Sequence, residues 1–422
     1  MEFLTSYNVI IEASVIIILS FVFSEIARKT NVPSVLMLIA LGIGLKFVLD
    51  TLTEDELDFD PILEVLGIVG LIMIVLEAAL ELKLERDKLV PILKALFIAL
   101  VGLVLSTWVA AEILQYFIED MNTQTAWIYA TPLSILSSAI IIPSVVGLRD
   151  DKREFHIYES TFSDILGIML FYFLTGQLEV DAAEHSSGGG VGGYAVSILL
   201  TIVLSLVASY LIILVFQNIR SHTKLFLLIA VLLLLYAVGK KAHLSSLLII
   251  LIFGLIIANM QLFFKGGLAR WLHIEKAKHI YEGLHVVTME TAFVVRTFFF
   301  VIFGLTISLA SLASTSVVII SALIVVSIYV IRYVILRIFV GRDIMPQTFI
   351  APRGLITILL FDNIPDSVLV EGFEDGILLF IIIATGVIMT VAMVLDKKRT
   401  QSAVRRAGDT PVVYEKWEAP KA

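Results

Sequence analysis

The sequence contains no cysteine, so disulfides, zinc–thiolate sites and thiol redox chemistry are excluded. It is also poor in charge. Asp, Glu, Lys and Arg make up 16% of its 422 residues, where a soluble domain has about 25%. No basic run with interleaved aromatics is present, which leaves nothing for a nucleic acid to hold. There is no Walker loop and no Gly-rich dinucleotide turn, so no nucleotide-driven work is expected. No His-Glu-x-x-His occurs, and no cofactor is expected. What is abundant is apolar length. Apolar residues make up 59%, above the roughly 45–50% of soluble domains. They gather in solid runs such as Leu225–Leu235 rather than alternating ones. The chain is therefore placed among α-helical membrane proteins and away from β-barrels.

A spanning helix needs about 20 mostly apolar residues. Thirteen windows qualify: 8–27, 33–50, 62–82, 91–116, 126–148, 157–177, 194–216, 223–239, 244–263, 285–309, 315–339, 346–362 and 375–396. The flank Met1–Asn8 has no Lys or Arg, unlike the basic start of a cleavable signal, so the first window reads as a retained span. Loop cations check the count independently. One set of alternate loops holds Arg28, Lys29, Lys83, Arg86, Lys88, Arg149, Lys152 and Arg153. The same set continues with Arg220, Lys224, Lys265, Arg270, Lys276, Lys278, Arg342 and Lys397–Arg399. The opposite set is acidic, with six acids in Asp50–Asp60 and then Glu119, Asp120, Glu179, Asp181, Glu184, Asp362, Asp366 and Glu371. Its loop cations are Lys240 and Lys241. This alternation puts the amino terminus outside and the carboxyl terminus in the cytoplasm, in what is expected to be the plasma (inner) membrane. Residues 1–396 form one transmembrane domain and 397–422 a short polar cytoplasmic tail. Gln177–Gly193 reads as a flexible outer loop and Phe264–Gly283 as an interfacial helix joining two halves.

A charged side chain near the bilayer centre costs about 2.5–3.5 kcal/mol on insertion scales, so those deep in a span need a reason. They are Glu77, Glu159, Asp164, Glu290, Arg296, Arg332 and Arg353. At a rise of about 1.5 Å per residue, Asp164 lies about one turn from the midplane of span six. Two spans carry breakers near mid-depth. Span five has Ser137 and Ser138 at its midpoint with Pro143 further along, and span twelve has Pro352, Arg353 and Gly354. Irregular backbone is tolerated in the membrane only where it lines a cavity or is packed by protein. Two interrupted helices beside a carboxylate make a midplane cation site. If spans one to six repeat as eight to thirteen, spans five and twelve correspond, by position alone. Ser160 and Asp164 are i, i+4 and can approach one ion together, with Ser163 beside Asp164. Oxygen ligands of this kind suit hard cations. Desolvation favours a proton on any buried carboxylate and a cation displaces it. The two then compete for one group, which suffices for exchange when the empty site cannot cross.

Glu159 and Arg332 fall at similar depth and read as a structural buried ion pair. Arg296 reads as a partner of Glu77, with the alternative that its charge replaces the cation in the empty state. Arg353 either caps carbonyls freed by the broken helix or touches the ion. His156, His222, His273, His279 and His285 fall at inner loops or span ends; most of them read as solvated, with an inner-surface pH switch as the alternative.

At these residues the sequence resembles the monovalent cation/proton antiporter superfamily, the sodium/proton exchangers. Glu159-Ser160-Thr161-Phe162-Ser163-Asp164 is similar to that family's Glu-Ser-x-x-Asn-Asp or Asp-Asp sixth span. Ala351-Pro352-Arg353-Gly354-Leu355 looks like its Arg-Gly segment on the broken twelfth span. Ile331-Arg332-Tyr333 looks like its span-eleven arginine, and Ile74–Leu82 like its third-span acidic signature. The resemblance covers nearly the whole chain. It implies an all-α integral membrane fold of about 13 helices, built as inverted repeats with crossed broken helices. It also implies a homodimer and an elevator movement of a core against a dimerisation subdomain. Asp164 inherits the role of cation and proton carrier and Ser160 that of a ligand, with Ser163, Ser137 and Ser138 as further ion- or proton-binding candidates. The implied partners are sodium or potassium ions, protons and membrane lipid.

Two departures shape the expected activity. Leu136-Ser137-Ser138-Ala139 stands where many exchangers place Thr-Asp-Pro, and the potassium-efflux branch tends to Ser-Ser there. Ser163 stands where the family has Asn or Asp. With one carboxylate, the site is expected to carry one charge each way. The expectation is thus an electroneutral sodium/proton antiporter serving pH homeostasis, with potassium/proton exchange as the close rival. An ion channel is weaker for want of a repeated filter loop. An intramembrane enzyme is weaker for want of paired catalytic aspartates, a Ser/His dyad or a metal motif.

Overall fold

The structure, a computed structural model, describes residues 14–23, 25–26, 34–52, 60–84, 86–119, 121–184, 191–219, 224–241, 246–264, 273–306, 312, 314–370 and 372–409. Among them every regular element is helical. Backbone groups in hydrocarbon must be paired within the segment, and the apolar runs do so as helices. In chain order these are α1 (Ser14–Phe23), α2 (Ser34–Leu52), α3 (Asp60–Glu81), α4 (Leu89–Phe117), α5 (Thr123–Ser134), α6 (Ser138–Ser144), α7 (Asp150–Glu184) and α8 (Val191–Phe216). There follow α9 (Lys224–Lys241), α10 (Ser246–Ala258), α11 (Met260–Phe263), α12 (Ile274–Thr306), α13 (Thr315–Phe339), α14 (Leu355–Phe361) and α15 (Gly376–Asp409). Each of the thirteen sequence windows contains helix. Among the described residues, six segments are long and apolar enough to cross a membrane: α4, residues 123–147 (α5 and α6), 150–177 in α7, 277–306 in α12, α13 and 376–396 in α15. Shorter apolar helices stand in the windows of α1, α2, α8 and α10.

Three boundaries differ from the sequence reading, all because a helix without an internal breaker keeps propagating. Residues 274–283 are the first turns of α12, continuous with the span, rather than a separate interfacial helix; residues 265–272 lie outside the described set. Helix α7 runs on to Glu184, into the stretch read as loop. Helix α15 runs on to Asp409, into the stretch read as tail.

The helices pack in two groups. In one, α2 and α3 lie against α12, and α10 lies against α3, α8 and α9. In the other, α4 packs on α5, α7 and α13, α13 on α15, and α6 on α7. The groups meet mainly through α3, which touches α7 and α14. The α2–α12 crossing is close enough that a Cβ on Gly42 would strike the Val301 carbonyl and one on Gly304 would approach the Ile39 carbonyl. Helix α3 is packed on all sides: from Gly70 to Leu80 every residue is buried except Glu77.

Candidate ion-binding site

The site is built on two interruptions. The Asn122 side chain starts α5 by accepting from Thr125 N at 2.8 Å, a regular N-cap. After Ser134 the chain becomes extended through Ile135 and Ser137, and α6 begins at Ser138. The second interruption follows a 3-10 turn, Gln347–Phe349. Residues 350–354 are irregular, and α14 begins at Leu355. The two irregular segments cross and bond directly: Ser137 N donates to Pro352 O at 3.0 Å.

That bond explains Arg353. Within a helix, Ser137 N would serve the Leu133 carbonyl four residues back. With Ser137 N given to Pro352, the Leu133 carbonyl is taken up by Arg353 Nε at 2.8 Å. Arg353 Nη1 donates to Ala351 O at 3.0 Å, and its backbone N donates to Thr385 Oγ1 at 3.1 Å. The guanidinium is buried and serves freed carbonyls, the first of the two roles its sequence position allowed. Thr385, which anchors it from α15, carries no sequence signal: nothing in the apolar run sets it apart from Thr390 five residues on.

Gly354 lets the segments approach. A Cβ there would overlap Ser137 Oγ and lie 2.9 Å from Ser137 Cβ and 3.0 Å from Ile140 Cδ1. Its φ of −155° is outside the left-handed region, and the close approach is what calls for glycine here. Gly354→Ala is expected to push the crossing apart at a cost of about 1–3 kcal/mol, as overpacking does. A lowered thermal midpoint in detergent checks this. Pro143, read as a breaker of span five, is not at the break. It lies in the last turns of α6 and is exposed. The interruption is held by bonds between the segments and follows Pro132, in the last turn of α5.

Asp164 on α7 is completely buried beside this crossing. Its Oδ2 accepts from Ser138 N at 3.2 Å, while Oδ1 has no partner. Ser163 Oγ accepts from Leu136 N at 3.0 Å, so α7 satisfies two backbone donors freed by the first interruption. Asp164, Ser163, Ser137 and Ser138 are thus brought together. Ser160 shares their helix, but its hydroxyl donates to His156 O at 2.7 Å. No bond joins it to Asp164 among the described residues. Pro352 and Gly354 stand in the crossing itself.

Behind the site, Arg332 on α13 forks onto Glu159 at 2.8 and 2.9 Å. Its Nε donates to Gln347 O at 3.0 Å. The pair therefore ties α7 and α13 to the turn before the second interruption. His156 is fully buried, with Nδ1 3.3 Å from Glu159 Oε2. This corrects its reading as solvated: α7 starts at Asp150, so His156 is well inside the helix and three residues from Glu159. At the start of α7, Lys152 Nζ bonds Asp343 at 2.7 Å and Met345 O at 2.6 Å, and the lysine holds the Asp343 carboxyl below its ordinary range. On the other group of helices, Arg296 meets Glu77 at 2.8 Å, both side chains 17% exposed.

Two helices interrupted at one level, crossing beside a buried carboxylate, are the arrangement of a secondary transporter. The fold is similar to that of a sodium proton antiporter, MjNhaP1 from Methanocaldococcus jannaschii, determined at pH 8. The TM-score is 0.63 at 17% identity, over 92% of this chain and 95% of that one. An electron-microscopy structure of the same antiporter gives a TM-score of 0.62 at 18% identity, over 99% of this chain and 100% of that one. No curated protein matches the sequence. The transmembrane domain of sodium/hydrogen exchangers matches residues 15–397, so the chain belongs to the sodium/hydrogen exchanger family. It is an integral membrane protein of a transporter family, not of an enzyme family.

Proposed function

We propose that this chain is a secondary antiporter that exchanges sodium for protons, one for one and without net charge movement. Asp164 carries the cation and the proton in turn. The observation that carries this reading is the buried Asp164, with one oxygen bonded to the start of α6 and the other unpaired. A lone carboxylate at mid-membrane can hold one positive charge, either a proton or a cation, and the two compete. Ser137, Ser138, Ser163 and Ser160 surround it as oxygen-bearing neighbours. Glu159 and Arg332 hold the scaffold behind it.

The movement proposed is an elevator: the group of α4–α7 and α13–α15 slides past the group of α2, α3, α8–α10 and α12. The support is the division of packing, with α3 as the main meeting place. The latter group would form the contact of a homodimer. The amino terminus lies outside and the carboxyl terminus in the cytoplasm, across the plasma (inner) membrane.

Potassium is the second reading, favoured by Ser137-Ser138 in place of a second carboxylate beside Asp164. Purified protein in liposomes loaded with a pH dye tests both. Sodium is expected to drive proton movement at a rate unchanged by a clamped voltage. A response to potassium but not sodium selects the second reading. Current that scales with voltage and moves no protons refutes both.

A further inference from the structure

Several small hydroxyls inside the helices of this protein share a habit. Ser134, Ser144, Ser160 and Thr175 each donate to the carbonyl four residues back, the usual refuge of a buried helical hydroxyl. Thr161 departs from it. Its side chain is 1% exposed, and its Oγ1 has no partner among the described residues. Leaving a buried hydroxyl unpaired is costly, and a rotation about χ1 would offer it the Ile157 carbonyl. Thr161 is three residues before Asp164, so the two side chains are neighbours on one helix face. Asp164 Oδ1 is likewise buried and unpaired. Thr107 and Thr288 also lack partners, but neither has a carboxylate three or four residues away.

The direction of Thr161 follows from the turn of α7. Ser163 faces the first interruption through Leu136 N, and Glu159 faces α13 through Arg332. On the opposite flank, Tyr158 donates to Lys83 O at 3.3 Å, just beyond the end of α3. At about 100° per residue, Thr161 falls between Tyr158 and Asp164, on the flank turned toward α3. That is the seam between the two groups of helices.

We propose that Thr161 Oγ1 is a further ligand of the transported cation, bridging with Asp164 Oδ1 from the α3 side. This rests on the antiporter reading above. Hard cations are bound by oxygens at roughly 2.5 Å, so one ion can touch two oxygens up to about 5 Å apart, the spacing of i, i+3 neighbours. Ser163 cannot play this part as freely, because its oxygen already accepts a backbone N–H. Thr161 thus completes, on the open side, a coordination sphere that the interruption closes on the other.

The test is exchange by the full chain in liposomes, read as rate against cation concentration. Thr161→Val, which keeps the shape and removes the oxygen, is expected to raise the apparent KM for the cation about tenfold with the maximal rate within twofold. Thr161→Ser, which keeps the oxygen, is expected to restore the parent KM. A Thr161→Val protein with the parent KM overturns the proposal, as does an equal KM shift in Thr161→Ser. A purely structural role would lower the thermal midpoint and the maximal rate and leave KM in place, which also overturns it. A parent protein that exchanges no cation for protons would instead overturn the antiporter reading, a separate outcome of the same experiment.

Discussion

Asp164→Asn is expected to insert, fold and lose exchange, down to the leak of liposomes without protein. The substitution keeps the size of the side chain and an oxygen that can accept from Ser138 N, as Asp164 Oδ2 does. It removes the only property the mechanism needs, a group that is either protonated or paired with a cation. A buried charge near mid-membrane costs about 2.5–3.5 kcal/mol, so the variant is expected to be at least as heat-stable as the parent. Stability and activity should therefore part company: a thermal midpoint equal or higher in detergent, and a flat trace from the pH dye. Cation-dependent proton movement by Asp164→Asn would refute the role given to this residue.

Arg332→Gln is expected to act the other way, on stability first. Arg332 makes three bonds: two to Glu159 and one to the Gln347 carbonyl. Its removal leaves Glu159, 1% exposed, with His156 as its nearest remaining polar neighbour. Removing one partner of a buried pair costs about 3–5 kcal/mol, because the other charge stays buried and uncompensated. Glu159→Gln is expected to cost a similar amount by stranding the guanidinium. The double replacement Glu159→Leu with Arg332→Met should cost much less than either single change, since apolar residues of similar size often replace such pairs with little loss. Thermal midpoints of the three variants in one detergent check this. A double variant as unstable as the singles would show that the pair carries stability beyond its charges.

Much of the molecule is legible in its residues taken alone. Solid apolar runs and alternating loop charge mark the helices, because burial in lipid leaves a helix as the only way to pair the backbone of each run. The depth of Asp164, Glu159 and Arg332 follows from counting residues along straight helices. Glu77 and Arg296 can be matched for the same reason. Counting puts Ser137 and Ser138 at the midpoint of span five, where the interruption lies, and Pro143 further along. A proline suggests a break nearby, yet the chain leaves the helix earlier, where Ser137 N finds Pro352 O and Arg353 receives the carbonyl left behind.

The sequence by itself thus determined the class, the order of the helices, the place of the interruptions to within a turn and the depth of Asp164 along its span. Those depend on local composition and on distance along the chain. Only the tertiary structure decided which groups meet across the crossing, that Arg353 serves carbonyls, that His156 is buried, that Thr385 anchors the second interruption and that Thr161 keeps a free hydroxyl. Each of these depends on a bond made or not made between atoms whose separation is set by packing. A hydroxyl that turns to its own helix and one that turns to an ion look alike in a sequence, because a single rotation about χ1 separates them.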